Sequence, residues 1–177
     1  MSVYQEGSMK VAVIIVSYNF EPWMDRCLGS LRKSSISVDI WVVDNASHDQ
    51  TVSLIQANYP EVNVIQNVSN KGFGAANNQG MAEALQNQFD YVFLLNQDAW
   101  VDENTIETLV NLGEKHPEFG IISPVHLSGK GDKLDFGFAD YAHLTQKEDI
   151  PSSRKYSIFI NSFNILILFV DNLYSYI

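Results

Sequence analysis

Apolar residues fall along this chain in short blocks whose period alternates between strand-like and helix-like. Residues 10–17 (KVAVIIVS) form a nearly unbroken run rich in valine and isoleucine, the pattern of a strand buried on both faces. Residues 21–32 then place Trp23, Cys27, Leu28 and Leu31 on one helical face, with Pro22 in the first turn, where its missing N–H is not needed. A second strand is predicted over 38–43 (VDIWVV). Beyond it, Ser47 with Gln50 three residues on has the form of a capping box, which predicts a helix to about residue 58. A short third strand over 62–66 leads through the turn 70–74 (NKGFG) into a helix over 74–87, with Ala76, Met81, Ala84 and Leu85 facing inward. A fourth strand over 91–95 (YVFLL) ends in Asn96-Gln97-Asp98. Asp102 is placed as the cap of a helix to about residue 115, which stops near Pro117, and 120–123 opens a fifth strand.

Strands and helices in strict alternation predict an α/β fold, a mostly parallel sheet flanked by helices. In such sheets ligands bind outside the carboxyl ends of the strands. The polar clusters after the first, second and fourth strands fall at those ends. From residue 129 onward the pattern weakens. Residues 134–144 read as irregular strands. Residues 157–170 (SIFINSFNILILFV) are strongly apolar, but this run is short for a membrane span and carries Asn161 and Asn164, so a core strand or buried helix is the expectation. No internal repeat or low-complexity linker is present.

Composition narrows the classes. The chain has 177 residues, enough for one domain with a real core; 46% are hydrophobic and 18% charged, which argues against wholesale disorder. Net charge is −10 with no basic cluster to offset it, so nucleic acid is not an expected partner. A phosphate ligand would need backbone N–H groups, a local cation or a divalent metal. Cys27 is the only cysteine and nothing at the N-terminus resembles a secretion signal, which together point to the cytoplasm. Residues 1–8 carry no pattern and read as a leader ahead of a natural start at Met9.

Four clusters could carry chemistry. Ser17-Tyr18-Asn19 sits where the first strand gives way to a loop; Tyr18 could stack on a base, but the cluster taken alone reads as a polar turn with a packed tyrosine. Asp44-Asn45-Ala46-Ser47 follows the second strand. Its carboxylate could accept from a nucleobase or a ribose, and equally could cap the next helix. Asn70-Lys71-Gly72-Phe73-Gly74, followed by Asn77-Asn78-Gln79-Gly80, could admit a phosphate to a helix N-terminus. It follows the third strand and has Asn77 where a dinucleotide fingerprint has its last glycine, which argues against a Rossmann dehydrogenase. In Asn96-Gln97-Asp98 an apolar strand delivers a carboxylate that could bind Mg²⁺ or Mn²⁺. His48, His116, His126 and His143 lack zinc-site spacing, and neither a G-x-S-x-G elbow nor a P-loop occurs.

Each cluster is weak alone; their order is specific. VIIVSYN, WVVDNAS, NKGFGAANNQG and VFLLNQDAWV, over about residues 10–124, together resemble the family 2 inverting glycosyltransferases of the GT-A fold, most closely the rhamnosyltransferase-type members. The resemblance implies that residues 9–125 form a nucleotide-sugar-binding α/β domain and 126–177 the start of an incomplete acceptor-side region. It implies that Tyr18 and Asp44 bind the base with Ser17 close by, and that Asn19 and Asn45 belong to the same substrate-binding set. Lys71, Gly72 and Asn78 would line the nucleotide site. Asn96-Gln97-Asp98 would stand at the D-x-D position, with Asp98 the ligand of a divalent cation, Mg²⁺ or Mn²⁺. Asn96 replaces the first acidic residue of that motif, which weakens the expected metal affinity.

The donor implied is a dTDP- or UDP-linked sugar, and the acceptor a glycan or lipid-linked hydroxyl in polysaccharide biosynthesis, at the inner face of the membrane. The family's base is the Asp of a Glu-Asp pair. Glu148-Asp149 comes too early and sits in a polar loop, so no catalytic residue is assigned; the base is expected beyond this chain, which would then turn over weakly or not at all. Two rivals stand beside this reading. A nucleotidyltransferase needs a basic glycine-rich loop after the first strand, which Asn19-Phe20-Glu21-Pro22 is not. A non-catalytic remnant would self-associate, or touch a membrane, through its C-terminal apolar run.

Overall fold

The computed structural model describes residues 9–146, residue 149 and the backbone of 157–160 and 166–169. In chain order the elements are β1 (Val11–Ser17), α1 (Met24–Leu31), β2 (Asp39–Asp44), α2 (Thr51–Asn58), β3 (Asn63–Gln66), α3 (Phe73–Gln86) and β4 (Tyr91–Leu94). There follow β5 (Ala99–Val101), α4 (Thr105–Lys115), β6 (Ile121–Ile122), β7 (Val125–Leu127), α5 (Phe136–Ala142), β8 (Ser157–Ile160) and β9 (Leu166–Phe169).

The main sheet has the order β3-β2-β1-β4-β9-β6, with β3, β2, β1 and β4 parallel. All seven residues of β1 are buried, as its unbroken apolar run requires of a central strand. Val11, Val13 and Ile15 face a core completed by Met24, Leu28, Ile55, Ile106 and Leu109 of α1, α2 and α4. Ala12, Ile14 and Val16 face the opposite core, with Ala76 and Ala84 of α3. Strand order reverses at β1: β2 and β3 add on one side, β4 on the other. The crossover carrying α3 therefore takes the second face, and the loops after β1 and β4 leave the sheet at this reversal, where ligands bind in open α/β sheets.

The parallel four-stranded sheet and its flanking helices agree with the sequence expectation. Several local expectations are corrected. The helix expected from a Ser47 cap begins at Thr51, and Asp49 Oδ1 accepts the Thr51 N–H at 3.0 Å while Ser47 is engaged elsewhere. Residues 134–144, expected as strands, contain α5, whose N-cap Asp135 accepts from the N–H groups of Gly137 and Phe138. The apolar stretch 157–170 supplies two strands rather than one. Of these, β9 runs antiparallel between β4 and β6, and β8 lies between β5 and β7 in a second, three-stranded sheet. The cap position of α4 is Asn104, not Asp102, because the helix begins at Thr105; β5 and β7, three residues each, are strands that the sequence pattern did not predict.

Candidate functional site at the strand ends

Register brings the clusters together. Ser17 and Asp44, the last residues of β1 and β2, are direct partners in the parallel ladder, and Gln66 at the end of β3 pairs with Asp44. Both Ser17 and Asp44 are fully buried. Ser17 Oγ donates to Asp44 Oδ1 at 3.1 Å, and Ser47 Oγ donates to the same oxygen. Asp44 Oδ2 accepts the Ser47 N–H at 3.2 Å. A buried carboxylate is tolerable only with such donors around it. The Asp44 side chain thus lies beneath the surface, joining two strand ends to the loop after β2.

The loop after β1 is latched to the same loop. Asn19 takes the left-handed conformation (φ 53°), which asparagine adopts more readily than most residues. Its N–H donates to Ser47 Oγ at 2.9 Å and its Oδ1 accepts the His48 N–H at 2.9 Å. Next in the chain, the Phe20 N–H donates to Thr51 Oγ1 at 2.8 Å. Tyr18, held between these anchors, is 42% exposed, and the His48 ring stands edge-on to it at 6.1 Å between centroids and 80° between planes.

Across the strand-order reversal, Gln97 after β4 reaches the backbone of Tyr18. Its Oε1 accepts the Tyr18 N–H at 2.8 Å and its Nε2 donates to the Tyr18 carbonyl at 3.1 Å. The side-chain amide ties the two chain segments together four residues beyond Ile14, whose carbonyl accepts the Leu95 N–H. Asn96, Gln97 and Asp98 are all half-buried at this edge. Asp98 also lies near Cys27, whose thiol is pushed well above its ordinary range by burial and further by the Asp98 charge.

The third cluster joins through Asn45, which is buried. Its Oδ1 accepts the Lys71 N–H at 2.9 Å and its Nδ2 donates to Asn70 Oδ1 at 2.8 Å. Asn70 Oδ1 also accepts the Gly72 N–H at 2.9 Å. Asn67 Nδ2 donates to Asn45 Oδ1 at 3.3 Å and exchanges amide bonds with Gln79 of α3 at 2.8 and 3.1 Å. Gly72, at φ 85° just before α3, needs the freedom glycine has, and a side chain there would meet open space. Lys71 and Asn78 are exposed.

Ser17, Tyr18, Asn19, Asp44, Asn45, Lys71, Gly72 and Gln97 are therefore bound into one connected edge, with Asn96 and Asp98 flanking Gln97. Asn78 lies on an exposed turn of α3. The sequence reading missed Asn67, Gln79 and His48 as parts of this edge. Its one available signal was the placement of amide side chains at a strand end and on an inward helix face, where apolar residues are the rule. Asp149, of the Glu148-Asp149 pair, accepts from the Thr145 N–H and hydroxyl and from Gln146; the Thr145 hydroxyl above all holds its carboxyl below the usual range. Among the described residues no group of three or more His, Cys, Asp or Glu side chains is placed to hold a metal ion. Nor is any described helix long and apolar enough to cross a membrane. The association face expected from residues 157–170 depends on side chains outside the described residues.

A parallel sheet whose strand order reverses at β1, with polar side chains tied across three strand ends at that point, defines an open-sheet α/β protein, the kind in which ligands bind at that edge. Comparison with known proteins specifies the class. The family model for glycosyl transferase family 2 matches residues 12–171, and the chain belongs to that family. It is 26% identical over 122 residues to the N-acetylglucosaminyl-diphospho-decaprenol L-rhamnosyltransferase of Mycobacterium tuberculosis, a match covering 64% of this chain and 40% of that protein. Among solved structures it is similar to TarS of Staphylococcus aureus in complex with UDP-GlcNAc, with TM-score 0.62, 23% identity, and coverage of 72% of this chain and 37% of that one. It is also similar to the mannosyltransferase PcManGT of Pyrobaculum calidifontis in complex with GDP-Man and Mn²⁺, with TM-score 0.58, 23% identity, and coverage of 67% and 36%. These likenesses establish the GT-A fold. The chain spans well under half the length of each of these relatives.

Proposed function

We propose that the edge formed by the loops after β1, β2 and β4 is the donor site for a nucleotide-diphosphate sugar, serving inverting transfer of the sugar to an acceptor hydroxyl. The observation that carries this reading is the joining of three strand ends, distant in sequence, by direct side-chain bonds at the reversal point: Ser17 to Asp44, Asn19 to Ser47, and Gln97 to Tyr18. The exposed Tyr18 ring offers a stacking face for a base. Asp44, closed off by Ser17 and Ser47, acts on the base or ribose through the loop it shapes, or directly once that loop yields. Lys71 supplies a cation beside the uncapped start of α3, where a diphosphate is favoured.

Asp98 fits a divalent cation, Mg²⁺ or Mn²⁺, as a half-buried hard oxygen donor at a strand end. One carboxylate leaves most of the coordination shell to diphosphate oxygens and water. When bound, such a cation offsets the charge that develops on the leaving diphosphate. The chain's own residues orient the donor and exclude water from its base end. Proton removal from the acceptor, by general base catalysis, is assigned to none of the described residues. A dTDP- or UDP-linked donor, a glycan or lipid-linked acceptor, polysaccharide assembly and a cytoplasmic location at the inner membrane face complete the proposal. Titration calorimetry with UDP, dTDP and GDP, each with and without Mn²⁺ or Mg²⁺, tests it. Binding of at least one of them, strengthened by metal, is expected. Absence of binding by all three would overturn it.

A further inference from the structure

The Gln97 side chain forms two hydrogen bonds to a single residue, and both go to the Tyr18 backbone. A side-chain amide satisfied in this way by peptide groups has little capacity left for a ligand: the remaining acceptor lone pair and one N–H. Tyr18 has few other supports. Asn19 and Phe20 after it are tied to Ser47 and Thr51, but the Tyr18 ring is largely exposed, with His48 edge-on beside it. Among the described residues the amide is therefore the one side chain seen to bond the N–H and carbonyl of Tyr18 themselves, and it comes from the turn that carries Asp98.

Resting on the donor-site reading above, we infer that Gln97 is a positioning residue. It acts on the nucleotide through Tyr18, by holding the peptide that sets the ring's stacking face and by fixing that face relative to the Asn96-Gln97-Asp98 turn. An alanine at 97 removes both bonds and frees the Tyr18 peptide. A glutamate can still accept the Tyr18 N–H but cannot donate to the carbonyl, and when ionised it repels it.

The test is a double-mutant cycle between Gln97→Ala and Tyr18→Ala. Affinity for the best-binding nucleoside diphosphate is read by titration calorimetry in EDTA, so that no metal contributes. Hydrogen exchange at the Tyr18 amide is followed in parallel. With Tyr18 present, Gln97→Ala is expected to weaken binding about tenfold, because the freed Tyr18 must be ordered when the base binds. In the Tyr18→Ala background it should change affinity less than about twofold, because the residue through which it acts is gone. Gln97→Glu should fall between wild type and Gln97→Ala. The Tyr18 amide should exchange faster in Gln97→Ala while the thermal midpoint stays near that of wild type.

Equal losses in both backgrounds would show that Gln97 touches the ligand itself and would overturn the inference while leaving the donor site intact. Unchanged affinity in Gln97→Ala would do the same. Failure of the wild-type protein to bind any nucleoside diphosphate would instead remove the donor-site reading, and this inference with it.

Discussion

Gly80 of α3 lies so close to Ile14 of β1 that a β-carbon at position 80 would stand 2.4 Å from Ile14 Cγ2 and 3.2 Å from its Cδ1. Ile14 is fully buried at the middle of the central strand, so it cannot swing away. This contact sets the approach of α3 to the sheet, and α3 carries Gly72 and Lys71 at its start.

Gly80→Ala is therefore expected to destabilise the fold by about 1–3 kcal/mol through overpacking, more than the roughly 1 kcal/mol that alanine gains in a helix interior. Gly74→Ala, in the same helix but facing open space, should be neutral or mildly stabilising. Urea unfolding midpoints at constant slope measure both. Equal midpoints for the two variants would mean that the Gly80–Ile14 contact does not limit the packing.

Asp44 stabilises more than it displays. Its oxygens receive the hydroxyls of Ser17 and Ser47 and the Ser47 N–H in a fully buried setting. Asp44→Ala leaves those donors without an acceptor and should cost about 2–4 kcal/mol, while Ser17→Ala, which removes one donor, should cost roughly 1 kcal/mol. Guanidinium unfolding of the two single variants and the double variant checks this. Because they share a bond, the double variant should lose less than the sum. Strict additivity would argue that the Ser17–Asp44 bond carries no stability.

The parallel strands were legible because a strand buried on both faces must be apolar throughout, and β1 and β4 are. Other elements were hidden for physical reasons. Leu134, Phe136 and Phe138 alternate with polar or small residues as a strand would, yet Asp135 caps two N–H groups and the segment turns into α5, leaving Phe136 exposed. The Ser47–Gln50 spacing matched a capping box, but the Ser47 hydroxyl accepts the Asn19 N–H instead of a helix N–H and donates to Asp44. The place of β9 between β4 and β6 depends on pairing across some 75 residues, which no local pattern records. At the site, the roles of Ser17, Tyr18 and Asn19 were visible only as polar residues at a strand end. Gln97 was legible only as the middle of the D-x-D position; its amide bonds the Tyr18 backbone, a pairing that needs the fold to bring residues 18 and 97 together.

His126 gives the fold a dependence on pH. It is a buried residue of β7 facing α5, its ring 4.8 Å from that of Phe138 and its Nε2 3.1 Å from Ser123 Oγ. Burial lowers its pKa to about 4, against the opposing pull of the Asp135 charge. The unfolded chain, with an ordinary histidine near 6.5, then binds more protons than the folded one between those two values. Stability from this residue is complete above about pH 6.5 and declines as pH falls toward 4, by at most about 3 kcal/mol. Unfolding free energies measured from pH 4 to 7 should show that slope in the wild type and a shallower one in His126→Gln. Parallel slopes would remove His126 as the cause.

Cys27 should be inert. It is buried in α1 against the end of β4, and both burial and the Asp98 carboxylate disfavour its thiolate. As the only cysteine in the chain it reports without ambiguity. Native protein should react with a thiol-specific reagent at least about a thousandfold more slowly than urea-unfolded protein, since reaction needs an opening of the fold. Labelling at a comparable rate in both would contradict the closed packing of α1 on β5 and the turn after β4.

In the proposed donor site Asp98 is the carboxylate assigned to the metal. Replacing it with asparagine keeps the shape of the turn and removes the charge on which a hard divalent cation depends. Asp98→Asn should bind nucleoside diphosphate without metal within about twofold of wild type, since the proposal assigns the base end of the donor site to Tyr18 and the loop after β2. The gain in affinity on adding Mn²⁺ should fall by about tenfold or more, in line with a lost ligand. Calorimetric titrations of both proteins, with and without the cation, separate the two effects. A variant that keeps the whole metal-induced gain would place the cation on other oxygens, and the turn after β4 would then serve the donor through the Gln97 hold on Tyr18 alone.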